Sequence, residues 1–334
     1  MKKELQAAAI ALLASMAIGS VLVLVVGQSP AHVWWQMVVR TFSSWYDVGQ
    51  LLYKATALVF TGLGVALALD AGLFNIGGEA QLGAGVLACA MVGTALPAGT
   101  PALVAIPACT LAAAVAGGAI GWLIGVLRVT RGAHEVITSI MLDAIVAGIV
   151  LWIANAYVFV NGTATGLPIA RGAELPSLGM GGSAANVALV LALAVAGAMW
   201  WLRARTTWGQ AWRTVGADRE AARSAGIAVG RVQILVMTGS GALCGLAATS
   251  LVLGHEHAYE QGLGAGVGFL GISAALLGRM HPVGIVLAAL VLGFLSSGGL
   301  AVDDLVPKEL TEVLQGVVIL AIAAAVPLVR RASP

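Results

Sequence analysis

The sequence predicts an all-α, polytopic membrane protein, and three observations predict it. Of 334 residues, 60% are apolar and only 10% are charged, whereas a soluble globular chain is about 45–50% apolar and about 25% charged. The apolar residues gather into runs of about 20, the length that crosses a bilayer as a helix. Glycine is abundant, at 44 residues, which suits close helix packing in lipid. Fifteen acidic and seventeen basic groups are too few to coat a water-facing surface of this size. A soluble enzyme, a disordered chain and a nucleic-acid binder all fit these numbers poorly.

About ten spans follow in order, some of them short or broken. The first, 7–27, is uncharged and preceded by Lys2 and Lys3. A signal peptide has an apolar region of only about 7–15 residues, so this run reads as a retained helix. The others fall at 52–69, 80–97, 101–127, 135–157, 185–202, 232–254, 263–278, 282–299 and 311–328. With the N-terminus in the cytoplasm and ten crossings, the inside segments hold Lys2, Lys3, Arg128, Arg131, Arg203, Arg205, Arg213, Arg219, Arg223, Arg231, Arg279, Arg330 and Arg331. The outside segments hold only Arg40, Lys54, Arg171 and Lys308. That asymmetry obeys the positive-inside rule and puts both termini in the cytoplasm.

The loops differ in character. Residues 31–50 carry Trp34, Trp35, Trp45 and Tyr46, an aromatic set suited to the membrane interface. Residues 158–184 read as an ordered surface loop or a short re-entrant piece. Residues 203–231 form the longest hydrophilic stretch, inside a chain that is otherwise one transmembrane domain over 1–334. Cys89, Cys109 and Cys244 sit in apolar runs at no metal or redox spacing. The chain has no phosphate loop, no His-Glu-x-x-His and no Gly-x-Ser-x-Gly motif. If ATP drives it, another chain binds the nucleotide.

Three polar constellations interrupt the apolar pattern. In the first, Asp70, Asn75, Glu79 and Gln81 stand among three glycines at 70–81. Charge at mid-bilayer costs about 2.5–3.5 kcal/mol, so these groups need a cavity, a partner or the membrane surface. The segment is either a cytoplasmic turn or a glycine-broken helix lining a transport path. In the second, Glu135, Thr138, Ser139 and Asp143 make a polar stripe near helical spacing, for contact either with other helices or with a solute. In the third, Asp218 is a natural N-cap with Glu220 in the first turn and Gly226 as the stop. A short surface helix results, with small Ala221, Ala222 and Ala225 beside Arg219 and Arg223. An ordinary basic loop near anionic lipid is the plainer reading of that stretch.

Here a family resemblance becomes specific. Arg213, Gly216, Ala221, Ala222, Ala225, Gly226 and Ile227 match the coupling segment of permease subunits in ABC importers of the branched-chain amino acid, ribose and nucleoside class. Asp218 stands where that pattern has Asn. Gly72-Leu-Phe-Asn75-Ile-Gly77, with Glu79 and Gln81, resembles the nucleoside and simple-sugar branch, with Ala80 in place of Gly. Glu135-Val-Ile, Met141-Leu142-Asp143 and the Gly268–Ile285 region resemble further stretches of it, Asp143 replacing Asn.

The resemblance implies a permease that binds no cofactor itself. ATP and Mg would sit on a separate cytosolic ABC ATPase, which would receive the 203–231 loop through Arg213, Gly216, Asp218, Ala221, Ala222, Ala225, Gly226 and Ile227. It also implies an extracytoplasmic solute-binding protein, a second related permease chain and a bacterial inner-membrane location among lipid. Asn75, Glu79, Gln81, Glu135, Thr138 and Asp143 are the candidates for the solute path. An ion- or proton-coupled secondary transporter, titrating Asp70, Glu79 or Asp143, is the competing class, and an intramembrane enzyme lacks any paired nucleophile and base. His255 and His257 lack a third ligand for a metal. Gly117, Gly121 and Gly125 form a packing ridge, and Gly264, Gly266, Gly268 and Gly271 could let a second broken segment oppose 70–81.

Overall fold

A computed structural model describes residues 16–307 together with Leu13, Glu309, Glu312, Val313, Gly316 and Val317. Most of the expected first and last spans, both termini, and Lys2, Lys3, Lys308, Arg330 and Arg331 lie outside the described residues. The described chain is helical, without a named strand. Six of its helices are long and apolar enough to cross a membrane, or seven spans if one sharply bent pair counts as one.

That pair is α1 (Met16–Val25) and α2 (Pro30–Thr41), bent by 112°. The bend is written locally: Gly27 takes a φ of +83°, and Pro30 opens α2 at a position where no N–H is needed. Residues 30–41, expected as a loop, are therefore a helix, because this Gly and Pro end one helix and start the next. The Trp34 indole N–H donates to Ser20 Oγ at 3.1 Å and ties the two together.

The center is α3 (Trp45–Asp70), which begins seven residues before the expected span at a Ser44 cap that accepts from the Asp47 N–H. Every residue from Ala55 to Ala68 is buried. Helices α10 (Val229–Leu246), α11 (Val267–Leu277) and α12 (Pro282–Ala301) pack around it. Beside them, α4 (Gly78–Ala95) and α10 lean on α5 (Ala102–Arg131). The α5–α10 contact is made by the glycine ridge. Gly117 lies on Gly241 and Gly245, Gly121 on Met237 and Gly241, and a Cβ on Gly125 would stand 2.9 Å from Ile234 Cα.

On the outside of this group, α6 (Glu135–Ile153) runs on through a π-turn to Val158 and buries only Glu135 and Ser139 of its own residues. Helix α7 (Ala188–Arg205) leads into α8 (Thr207–Ala217) and α9 (Arg219–Ser224). The 158–184 stretch is pinned by isolated bridges, Phe159 to Gly166 and Thr165 to Glu260. After α10 a π-helical segment, Thr249–Glu256, leads to the glycine-rich approach to α11. Neither α4 nor the eleven-residue α11 counts among the long apolar helices.

Candidate functional site

The 70–81 segment is both a turn and a re-entry. α3 stops at Asp70, and Gly72, at φ +68°, reverses the chain. The chain then climbs back beside α3. Asn75 Nδ2 donates to Ser240 Oγ at 2.7 Å, and Ser240 Oγ donates to the Gly64 carbonyl at 2.6 Å. Asn75 thus lies near the level of Gly64, about 9 Å along α3 from Asp70. Only then does α4 begin.

Asn75 and Gln81 are both fully buried and are used on one another. Asn75 Nδ2 donates to Gln81 Oε1 at 2.8 Å, and Gln81 Nε2 donates back to Asn75 Oδ1 at 3.2 Å. The Gly77 N–H adds a third bond to the same oxygen at 3.1 Å. A reciprocal amide pair of this kind satisfies groups that would otherwise be costly to bury. These two side chains hold the broken segment in shape; neither lines a cavity described below.

Glu79 does a different job. Its Oε1 accepts from the Gly266 N–H at 2.6 Å and its Oε2 from the Gly268 N–H at 2.9 Å. Those amides belong to the first turn of α11, where unpaired donors and the helix dipole favor an anion. Gly268 sits directly on Gly78 and Glu79, so the starts of α4 and α11 meet through glycine backbone. Thr61 Oγ1 donates to the Val267 carbonyl at 3.2 Å and fixes that meeting point partway along α3. The two glycine-rich interruptions do face one another.

Two cavities flank the loop that leads into α11, and both are lined by Leu263, Gly264 and Ala265. The smaller, about 320 Å³, carries Glu79, Asp143, Tyr259 and Gln261. Asp143 Oδ1 is buried there without a hydrogen-bond partner. The larger, about 560 Å³, carries Tyr53, Lys54 and Ser296. Lys54 and Ser296 were not among the sequence candidates, because nothing local to either position signals the cavity that α3 and α12 form together. Glu135 instead meets Arg128, 3.3 Å away, and Thr138 and Ser139 donate to the His134 and Glu135 carbonyls of their own helix. Of the six path candidates, Glu79 and Asp143 reach a cavity. Asn75, Gln81, Glu135 and Thr138 are engaged elsewhere.

The loop at 203–231 folds against the base of the same broken segment. Residues Thr207–Ala217 form a helix of their own, with Thr206 accepting from the Gly209 N–H as its cap. Asp218 then caps α9, accepting from the Glu220 N–H at 2.8 Å and the Ala221 N–H at 3.2 Å. Gly226, at φ +78°, ends it. Arg203 makes a two-pronged ion pair with Asp70, Arg219 Nη2 donates to the Gly72 carbonyl at 3.2 Å, and Gly216 rests on the backbone of Asp70 and Ala71. Arg213 lines an open cleft with Asp70 and Met280. Ala221, Ala225 and Gly226 face outward with Arg213 and Asp218, Ile227 is half-buried, and Ala222 is fully buried. The expected alanine face is therefore split between outside and inside.

At the far end of α3, Arg40 reaches the Ala301 carbonyl at 2.7 Å and pairs with Asp304. That hydrogen bond holds the Asp304 carboxyl below its ordinary range. His255 contacts Glu256 at 3.4 Å and the Tyr53 ring edge-on. Among the described residues, no three His, Cys, Asp or Glu side chains gather as a metal site.

Residues 48–323 match the family described as branched-chain amino acid transport system, permease component. The chain is 35% identical over 322 residues to the guanosine ABC transporter permease protein NupP of Bacillus subtilis, covering 94% of this chain and 92% of that protein. It is 32% identical to the glucose ABC transporter permease protein TsgB13 of Haloferax volcanii, covering 92% of this chain and 84% of that one. Against the nucleoside ABC transporter permease protein NupB of Lactococcus lactis the identity is 29%, over 94% of this chain and 89% of the other. A glycine-broken, all-helical membrane protein matched over most of its length in this way belongs to the branched-chain amino acid transport system permease family, and is a permease component of an ABC transporter.

Proposed function

We propose that this permease carries nucleosides into the cell, with ATP and Mg bound and hydrolyzed on a separate cytosolic ATPase. One observation carries the coupling half of the proposal. The capped helix α9 and its neighbor α8 are fastened, through Arg219 and Gly216, to the base of the segment that ends at Glu79, beside the Arg203–Asp70 pair at the end of α7. A pull on α9 would travel through 73–78 to the start of α11 and the loop between the two cavities. In this reading Arg213, Asp218, Ala221, Ala225, Gly226 and Ile227 meet the ATPase, while Ala222 and Gly216 root the helix. Glu79 and Asp143 border the solute path.

The nucleoside assignment is supported by the names of two relatives, guanosine and nucleoside permeases, and by the Asn75-Ile-Gly77-x-Glu79 segment. The glucose relative keeps a simple sugar as the second reading, since nucleosides and sugars share their hydroxyls. The ten-span topology with both ends cytoplasmic, and a bacterial inner-membrane location, complete the proposal. A second permease fits the almost unburied outer face of α6. A further relative, 28% identical over 74% of this chain, is NupQ, another guanosine ABC transporter permease protein of Bacillus subtilis. A solute-binding protein would deliver from the Trp45 end of α3.

The test is uptake of labeled guanosine and uridine by cells with the complete transporter. Uptake should survive collapse of proton and sodium gradients and stop when the ATPase is inactivated. Uptake that follows an ion gradient without ATP would refute the coupling reading.

A further inference from the structure

Lys54 is the residue that neither the coupling route nor the carboxylate-lined cavity uses. It sits nine residues into α3, about 13 Å from the start of the helix, half-buried in the larger cavity. Its Nζ donates to Ser296 Oγ at 3.0 Å and to the Ser296 carbonyl at 3.3 Å. An ammonium carries three donors, so two are committed to one residue of α12. Ion pairs among the described residues join Arg40 to Asp304, Arg128 to Glu135, Arg203 to Asp70 and Arg223 to Glu220, with His255 beside Glu256. Lys54 is in none of them. A cation withdrawn from water without an ion-pair partner is costly, and here it stands at the wall of a space of about 560 Å³ that the exposed Glu312 also borders, within the range that takes small molecules.

Besides Ser296 and an exposed Glu312, the rest of that wall is mostly apolar, formed by Leu58, Leu251, Leu263 and Leu270 with the Tyr53 ring nearby. Such a space suits a flat ring with apolar faces and a hydrogen-bond acceptor at its edge. A phosphate or carboxylate fits less well. Anions of that kind are held by several donors or by the two-pronged guanidinium, and Lys54 has one proton left to give.

We propose that the Lys54 cavity is the base-reading site of the permeant path, in which the Lys54 ammonium donates to the ring carbonyl of an oxo-purine or oxo-pyrimidine nucleoside. This rests on the nucleoside reading above and adds the residue that distinguishes one base from another. The cavity across the shared 263–265 loop, lined by the three carboxylates Glu79, Asp143 and Glu260 and by no lysine or arginine, suits hydroxyl donors.

The experiment compares inosine with purine riboside, which lacks the 6-oxo group, and with free ribose. Cells carry the complete transporter, with wild-type chain or Lys54→Met. Wild type should have a half-saturating concentration for inosine about tenfold below that for purine riboside, the worth of one hydrogen bond to a charged donor. Lys54→Met should erase that ratio, raising the inosine value about tenfold while leaving purine riboside within about twofold and the maximal rate unchanged. Membrane amount is read by immunoblot. Should Lys54→Met fail to accumulate, Lys54→Gln, which keeps a donor without the charge, must still cut the ratio by about threefold. An unchanged ratio, or an equal loss for both nucleosides at normal membrane amount, overturns the assignment of Lys54 alone. Wild-type cells that take up ribose but neither nucleoside overturn the nucleoside reading and this assignment with it.

Discussion

Asp218 offers the sharpest separation between a capped docking helix and a mere basic loop. Helix α9 has six residues, far too few to hold itself in water. Its Glu220–Arg223 pair is exposed on both sides and contributes little. What holds its first turn are the two amides that Asp218 accepts. Removing such a cap costs about 1 kcal/mol, within the 0.5–2 kcal/mol seen for Asp-to-Ala cap changes. Asn caps as well as Asp. Asp218→Ala should therefore lower the ordered population of α9, and with it ATPase affinity, by about fivefold, and Asp218→Asn should leave both within about twofold. Amide hydrogen exchange at Glu220 and Ala221 reads the helix directly, and titration of the ATPase onto the permease in nanodiscs reads docking. If Asp218→Ala exchanges and binds like Asp218→Asn, the cap does not organize this surface. Faster exchange with unchanged ATPase affinity would keep the helix but remove it from the interface.

Three further outcomes follow from the geometry. Gly121→Leu forces a side chain into the Met237 and Gly241 backbone and should cost at least the 1–3 kcal/mol of ordinary overpacking, visible as lost folded yield in detergent. Gly197→Leu, with nothing near its Cβ position, should be neutral by the same measure. Asn75→Ala strands the Gln81 amide and the Gly77 N–H, at about 1–3 kcal/mol for each group left unpaired. Its thermal midpoint and its uptake should fall together, whereas normal stability with lost uptake would put Asn75 on the solute path. Arg203→Met leaves the mostly buried Asp70 carboxylate without its partner, a loss at or below the low end of the 3–5 kcal/mol range for fully buried pairs. Adding Asp70→Asn should recover part of that loss, and a double-mutant cycle on thermal stability measures it.

What could be read from the chain depended on how far apart the interacting residues stand. The Asp218 cap and the Gly226 stop are local, and the structure has both where the spacing puts them. The ridge of Gly117, Gly121 and Gly125 is also local, since one helix turn separates its members. The partners of Asn75 and Asp70 are not local. Ser240 lies 165 residues away and Arg203 lies 133 away, and one sequence carries no mark of either pairing. For that reason the 70–81 polar groups stand out in the sequence, while which of them brace the fold and which line a space does not. Lys54 was hidden similarly. In sequence it is one charge near the start of a span, and only the arrival of Ser296 from α12 gives it a cavity wall. The helix at Pro30–Thr41 was masked by its aromatic content, which reads equally well as an interfacial loop.

The glycine contact between α5 and α10 limits how this molecule can move. Two backbones touching through interleaved glycines leave few side chains between them to re-pack, so a slip or roll of either helix meets backbone. These two helices are set against each other as one block. Gly262 and Gly266, on the loop between the two cavities, are glycines of another kind. Both have left-handed backbone and empty space where a Cβ would point. The same residue type thus serves close backbone contact in one place and left-handed backbone in the other, and the difference is whether anything already stands where its missing methyl would be.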